Sequence, residues 1–336
     1  EVLDSTAFIG GKQVQEFSRA LSDYLGGSSV IPCANGTDAL QIALMSLGLQ
    51  PGDEVITPSF TFIATTEVVA LLGLKPVFVD VNPDTFCLDP ESVAQSITSK
   101  TKAIVPVHLY GQSAAMEEIL KMAAAHNIPV IEDNAQAIGA EYTFSDGRKC
   151  KTGTMGNIGT TSFFPSKNLG AYGDGGAIIT GNEALADRLK MIANHGQKVR
   201  YSHELVGCNS RLDTLQAAIL LIKLKKLDAF NEARRKAAAY YDQAFAGEKR
   251  ISTPYVAPGN THVYHQYTLK LEGVNRDQLK AYLETKGIPS MIYYPVPVHR
   301  QKMFEVFGSG STELPVTDWL TERVISLPMH TELDQE

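Results

Sequence analysis

Apolar residues in the first half of the chain fall into short, nearly unbroken runs, separated by stretches whose apolar positions recur every three or four residues. Val55-Ile56-Thr57, Pro76-Val77-Phe78-Val79-Asp80, Ala103-Ile104-Val105-Pro106-Val107 and Pro129-Val130-Ile131-Glu132-Asp133 are runs of the first kind. Short, β-branched and without polar alternation, they have the pattern of strands covered on both faces. Between them, Thr37 to Leu47 places Leu40, Leu44 and Leu47 on one stripe, and Met116 to His126 does the same with Ile119, Leu120 and Ala123, which predicts helices. The alternation runs from about Val30 to Ile179 and predicts an α/β domain with a mostly parallel sheet.

The rhythm then changes. Asp213 to Ala246 reads as helical for most of its length, with Leu215, Ile219, Ile222 and Leu227 inward and Lys223, Lys225 and Lys226 outward. After Gly247 come the strand-like Tyr267-Thr268-Leu269-Lys270-Leu271, a helix from Asp277 to Lys286, and a second strand-like run, Met291-Ile292-Tyr293-Tyr294. These predict a smaller α+β unit, so the chain divides into a large domain over 1–228 and a C-terminal domain over 229–336. Glu1-Val2-Leu3-Asp4 reads as the tail of a helix and Leu333-Asp334-Gln335-Glu336 brings no closing element, so both ends are expected to be trimmed.

Composition excludes several classes. With 336 residues, 44% of them apolar and 20% charged, the chain buries an ample core without disulfides or metal. A net charge of −7 argues against a general nucleic-acid or membrane binder, so any anionic ligand must be held by local donors. Cys33, Cys87, Cys150 and Cys208 form no Cys-x-x-Cys pair, which points to reduced thiols rather than a metal or redox motif. No apolar run reaches the roughly 20 residues that span a bilayer, and no charged-then-apolar leader is present, so a cytoplasmic protein is expected.

Three segments carry candidate chemistry. Val30-Ile31-Pro32-Cys33-Ala34-Asn35-Gly36-Thr37-Asp38-Ala39-Leu40 passes from an apolar run through a glycine turn into a helix start, an arrangement that aims unpaired N–H groups at an anion. Thr37 and Asp38 also serve as simple caps. In Glu132-Asp133-Asn134-Ala135-Gln136 a carboxylate ends a buried strand, at the edge where open α/β sheets place ligands. Asp133 there either caps the next turn or meets a protonated heterocyclic nitrogen. Lys167 follows the apolar Phe163-Phe164-Pro165 and precedes the glycine-rich Gly170-Ala171-Tyr172-Gly173-Asp174-Gly175-Gly176. A lysine desolvated in that way loses proton affinity and becomes a nucleophile suited to a Schiff base.

Taken together these segments resemble the DegT/DnrJ/StrS-type sugar aminotransferases, pyridoxal 5'-phosphate (PLP) enzymes of fold type I. The matching motifs are Asn35-Gly36-Thr37-Asp38-Ala39-Leu40, Pro51-Gly52-Asp53-Glu54-Val55-Ile56, Pro58-Ser59-Phe60-Thr61-Phe62-Ile63-Ala64-Thr65, Glu132-Asp133-Asn134-Ala135-Gln136, Ser162-Phe163-Phe164-Pro165-Ser166-Lys167 and Asn209-Ser210-Arg211-Leu212-Asp213. The resemblance implies a mostly parallel sheet sandwiched by helices with a smaller C-terminal α+β domain. It implies that Lys167 bears the cofactor as a Schiff base and shuttles the proton, that Asp133 pairs with the pyridine nitrogen, and that Gln136 reaches the phenolic oxygen. Phe62 would stack on the ring; Gly36, Thr37 and Ser162 would hold the phosphate, joined by Asn209 from the second subunit of a homodimer with shared active sites. L-glutamate would be the amino donor and a nucleotide sugar the acceptor. Relatives that are dehydratases carry histidine at the lysine position, so Lys167 favours amino transfer.

Within the family the chain is similar to the 3-aminotransferases of UDP-2-acetamido-2-deoxy-3-oxo-glucuronate, which serve surface polysaccharide synthesis. Where those relatives have His-Tyr-Pro, this chain has Tyr293-Tyr294-Pro295, a departure at an expected substrate wall. Arg211 is the candidate for the uronate carboxylate, since a guanidinium fork binds one bidentately, although pairing with Asp213 would equally occupy it. Tyr293, Tyr294 and His299 are further substrate candidates, and His108 and Tyr110 could also face it. Alternatives stay open: a 4-oxo or other 3-oxo dTDP- or UDP-sugar, a lyase or dehydratase outcome, and a non-catalytic PLP-binding regulatory module. A nicotinamide-linked oxidoreductase lacks its Gly-x-Gly-x-x-Gly turn.

Overall fold

The structure is a computed structural model that describes residues 1–333; Asp334, Gln335 and Glu336, part of the C-terminal end considered above, lie outside the described residues. Seven strands build the central sheet: β1 (Ser29–Cys33), β2 (Glu54–Pro58), β3 (Lys75–Val79), β4 (Thr101–Ile104), β5 (Ile131–Asp133), β6 (Ile158–Ser162) and β7 (Gly176–Thr180). They pair as β1-β7-β6-β5 and β3-β2-β4, and parallel bridges Ile104–Val130 and Val107–Asp133 join the two groups into the order β1-β7-β6-β5-β4-β2-β3. Every pairing is parallel except the two made by β7.

That single reversal positions the site. Ser162, the last residue of β6, pairs with Gly176, the first of β7, and Gly176 also faces Cys33 at the end of β1. The loop from 163 to 175 therefore crosses the same carboxyl edge at which β1 and β5 end. Open α/β sheets bind ligands at this edge, because strand ends deliver side chains there and helix N-termini follow.

Helices α1 (Lys12–Tyr24), α2 (Gly36–Ser46), α3 (Ala64–Leu71), α4 (Met116–Ala125) and α5 (Glu183–Ala193) follow the apolar stripes. Helix α2 buries Leu40, Ile42, Ala43 and Leu44 against Val55, Val68, Val105 and Ile178, so it lies in the core rather than on it. At about 25 cal/mol per Å² of apolar surface removed from water, each fully buried Leu or Ile there contributes about 2 kcal/mol.

Two expectations need correction. The predicted helix from Asp213 to Ala246 is two helices, α6 (Thr214–Leu224) and α7 (Leu227–Ala244), with Lys226 at φ −111°, ψ 0° between them. Leu227 is fully buried and packs with Leu220, Leu224 and Phe17, whereas Leu215 and Ile222, expected to face inward, are exposed. Met291 to Tyr294 is not a strand; Met291 alone bridges to Ser326. Pro295 and Pro297 lack the N–H a ladder needs, and the segment turns its tyrosines toward the carboxyl edge.

The C-terminal part builds a three-stranded antiparallel sheet, β8 (Ile251–Ser252), β9 (Tyr267–Leu271) and β10 (Val324–Leu327), in that order, with α8 (Arg276–Thr285) beside it. Strand β9 is buried along its whole length. Polar ties hold this sheet to the large one. Lys270 pairs with Asp84 at 2.6 Å and reaches the Pro83 carbonyl at 2.9 Å. Asp80 accepts from the Val316 and Thr317 N–H groups at 2.9 and 2.7 Å, at the start of α9 (Pro315–Thr321). Among the described residues no helix is long and apolar enough to cross a membrane, the four cysteines are free, and no cluster of metal-binding side chains occurs.

Candidate active site

A cavity of about 510 Å³ opens at the carboxyl edge, and the three segments that carry candidate chemistry line it together with Phe62: Gly36 and Thr37, Asp133 and Gln136, Ser162 and Lys167. Lys167 sits in a loop fixed from below. Phe163 is fully buried against Phe17 in an edge-on contact with centroids 5.3 Å apart, and its N–H and carbonyl bond to Gly175 and Ala171 at 2.7 Å each. Asn168 donates to Asn231 at 2.7 Å and to the Val263 carbonyl at 2.8 Å, tying the residue after the lysine to α7 and to the segment before β9. Gly170 is required where it stands, because a Cβ there would lie 2.3 Å from the Pro165 oxygen. The loop thus presents the lysine amine to the cavity, with Phe164 and Ser166 beside it. Burial pulls that amine down to about 8, against the opposing pull of the Asp133 carboxylate.

Asp133 is 5% exposed at the end of β5. Thr65 Oγ1 donates to its Oδ2 at 2.7 Å and the Ala135 N–H to its Oδ1 at 3.1 Å, so the carboxylate is oriented toward the cavity. Behind it, the neighbouring Glu132 is fully buried and accepts from His108 Nε2 at 2.8 Å and from the Gly153, Met155 and Gly156 N–H groups at 2.6 to 2.8 Å. His108 Nδ1 accepts from the Ala114 N–H at 3.1 Å, which puts the ring hydrogen on Nε2, facing Glu132. Adjacent carboxylates on one strand thus take opposite tasks: Glu132 points away and fastens the strand end, while Asp133 points into the cavity.

Gln136 is held at both ends of its amide. Its Oε1 accepts from the Tyr110 N–H at 2.8 Å and its Nε2 donates to Tyr294 Oη at 3.0 Å. Tyr294 therefore keeps its own hydroxyl hydrogen for a ligand, and burial raises this phenol far above its ordinary range, so it stays protonated. Tyr293 and Tyr294 both line the cavity, and Phe62, 54% exposed, lies 6.2 Å from the Tyr294 ring.

The glycine turn tests whether a phosphorylated pyridine fits. Asn35 caps α2 by accepting from the Asp38 N–H at 2.8 Å; the Gly36 and Thr37 N–H groups have no partner among the described residues. A Cβ on Gly36 would lie 2.7 Å from Ser162 Cβ, so only glycine lets the turn close over the end of β6. Free N–H groups, a helix start, the Thr37 and Ser162 hydroxyls, a buried anion and a deprotonatable lysine surround one cavity. This set matches the phosphate, the ring nitrogen and the aldehyde carbon of PLP.

Other expected residues lie elsewhere. His299 does not line the cavity: it is 1% exposed, with Nδ1 on Ser59 Oγ at 2.7 Å and Nε2 3.4 Å from Asp318. His108 is consumed by Glu132, and the Tyr110 hydroxyl donates to the Tyr293 carbonyl, so these two support the walls. Arg211 and Asn209 are exposed and off the cavity of their own chain, and Arg211 makes no ion pair with Asp213 or any other described residue. Thr65 and Asp174 stood in stretches quoted from the sequence without a role of their own, and His265, which lines the cavity beside Gln266, was passed over.

Comparison with known proteins converges on the same chemistry. The model of the DegT/DnrJ/EryC1/StrS aminotransferase family matches residues 1–336. The UDP-2-acetamido-2-deoxy-3-oxo-D-glucuronate aminotransferase of Pseudomonas aeruginosa is 48% identical over 99% of this chain and 90% of its own. A pleiotropic regulatory protein of Geobacillus stearothermophilus is 47% identical over 100% of this chain and 89% of its own. The crystal structure of NtdA from Bacillus subtilis with bound cofactor PMP superposes with a TM-score of 0.91 at 35% identity, covering 99% of this chain and 76% of that one. The chain belongs to the DegT/DnrJ/EryC1/StrS aminotransferase family, whose members are PLP-dependent transaminases.

Proposed function

We propose that this chain transfers an amino group from L-glutamate to the 3-oxo group of UDP-2-acetamido-2-deoxy-3-oxo-glucuronate, in the synthesis of a surface polysaccharide. The observation that carries the catalytic part is the shared cavity of Lys167 and Asp133, a lysine whose amine is pulled down to about 8 beside an oriented carboxylate. The 48% identity to the Pseudomonas aeruginosa enzyme supports the choice of sugar.

PLP, when bound, supplies the electron sink and carries the amino group between the two substrates. Lys167 would hold it, and the free Nζ would be the base that moves the proton at the substrate carbon. Asp133, oriented by Thr65 and Ala135, would pair with the pyridine nitrogen and favour its protonated form. Gln136 reaches the phenolic oxygen, with Tyr294 as a second donor beside it. Phe62 covers one ring face and excludes water; Gly36, Thr37 and Ser162 bind the phosphate. Asn209 and Arg211, exposed on their own chain, complete the site of a second copy, Asn209 at the phosphate and Arg211 at the uronate carboxylate. Tyr293 and Tyr294 wall the sugar. The division at residue 228 then separates a cofactor-holding part from a covering one.

Two additions test the reading in sequence. Glutamate should bleach the yellow PLP-loaded protein and release one equivalent of 2-oxoglutarate. The 3-oxo glucuronate should then restore the colour. Colour returning only with 4-oxo sugars overturns the assigned substrate. Colour that glutamate never bleaches overturns amino transfer from that donor and favours the regulatory module, the reading that the Geobacillus relative's name raises.

A further inference from the structure

His299 stands off the cavity, yet its contacts join the two segments that form the cavity's aromatic walls. One wall is Phe62, which closely follows Ser59; the other is Tyr293 and Tyr294, which closely precede His299. Phe62 and Tyr294 lie with ring centroids 6.2 Å apart. The two segments are fastened at one point. Val298 and His299 direct their N–H groups to the Ser59 carbonyl and Oγ, each at 3.0 Å, and Ser59 Oγ lies 2.7 Å from His299 Nδ1. Ser59 is fully buried and His299 nearly so. The hydrogens follow from these contacts: Oγ accepts from the His299 N–H and gives its own hydrogen to Nδ1, so the ring hydrogen sits on Nε2, 3.4 Å from Asp318. With the ring hydrogen on Nδ1 instead, the buried Ser59 hydrogen would meet no acceptor among the described residues. Burial lowers the proton affinity of His299 against the pull of the Asp318 carboxylate, in keeping with a neutral ring. The joint is braced from behind. Ser309 Oγ donates to the His299 carbonyl at 3.0 Å, and Val298 packs in one apolar cluster with Phe78, Phe304 and Ile63, the residue after Phe62.

We infer that Ser59 and His299 are positioning residues for the acceptor sugar: their paired hydrogen bonds set the spacing between Phe62, at the cofactor ring, and the Tyr293–Tyr294 wall. Neither side chain lines the cavity, so both act through these aromatics. A nucleotide sugar has to lie between the two walls and be held there in reacting geometry, whereas glutamate is much smaller and depends less on their spacing. Loosening the joint therefore weakens the acceptor stage and spares the donor stage. The inference rests on the proposed amino transfer to a nucleotide sugar, in which the aromatics have these tasks.

On PLP-loaded protein the two stages are read separately by absorbance, as bleaching against glutamate concentration and as return of colour against nucleotide-sugar concentration. Ser59→Ala and His299→Leu remove the bond between the side chains, while His299→Asn keeps an amide oxygen near the Nδ1 position to accept from Ser59. The first two should raise the half-saturating sugar concentration about tenfold and leave that for glutamate within about twofold of the unsubstituted protein. His299→Asn should stay near the unsubstituted protein at both stages. Two stages that are unchanged or equally weakened, a loss confined to the glutamate stage, or an Asn variant as impaired as the Leu variant overturns the inference. If Ser59→Ala does not fold, the contrast between the two His299 variants decides. Failure of the function reading shows earlier, in the unsubstituted protein: colour that glutamate never bleaches, or that no nucleotide sugar restores, refutes that reading before any variant is compared.

Discussion

The Lys167 amine owes its reactivity to burial, with Asp133 acting in the opposite direction. The sign of the pH dependence follows: below about 8 the free amine is protonated and non-nucleophilic, above it the lone pair is available. The rate at which cofactor-free protein captures PLP should therefore rise through about pH 8 and level off above it, as followed by stopped-flow absorbance. Thr65→Val removes one of the two donors that hold Asp133. Hydrogen bonds to charged groups contribute about 1.5–3 kcal/mol, so PLP affinity measured by equilibrium titration should weaken at least tenfold with the fold unchanged. That Lys167 and Asp133 line one cavity was legible from several motifs in order and the family they resemble, since a strand-end carboxylate alone reads as a cap and a loop lysine alone as a solvated side chain. His299 and His108 were not, because a histidine bonded to Ser59 or Glu132 looks the same in sequence as one facing a substrate.

At the scale of elements, the turn from β1 into α2 concentrates the constraints. Gly36→Ala places a methyl group 2.7 Å from Ser162 Cβ; overpacking of that kind costs about 1–3 kcal/mol. The expected outcome is a lower Tm together with a larger loss of affinity for PLP than for phosphate-free pyridoxal, measured by parallel titrations. The parallel strands and the helices between them were readable from periodicity, since doubly covered strands admit few polar residues. The break at Lys225-Lys226 was not, because the apolar spacing runs through it and the change of direction is set by packing on Phe17 and Leu220. Met291 to Tyr294 has the composition of a strand, and two prolines beyond it decide against the ladder.

For the whole molecule, exposed apolar side chains offer surface for the proposed second copy to cover. Tyr172, Tyr201 and Val206 are 75%, 80% and 85% exposed, and Phe164 beside Lys167 is 52% exposed. On the proposed dimer, Val206→Asp should shift the protein toward monomer in sedimentation analysis and, if Asn209 and Arg211 serve the neighbouring site as proposed, lower activity. Stability also carries a pH signature. Burial holds His262 down to about 3 and His265 well below its ordinary range, so the folded chain stays unprotonated there while the unfolded chain binds protons below about 6.5. These groups therefore make stability fall as pH drops from about 6.5 toward 3, and Tm by calorimetry should decline over that window.

The central claim is that Lys167 is the residue that holds the cofactor. Borohydride reduction of the PLP-loaded protein, followed by peptide mass mapping, tests it directly. The account predicts that the added pyridoxyl phosphate mass appears on the peptide containing Lys167 and is absent from Lys167→Ala protein. The same mass on a different lysine, or none on a protein that is yellow, would contradict it.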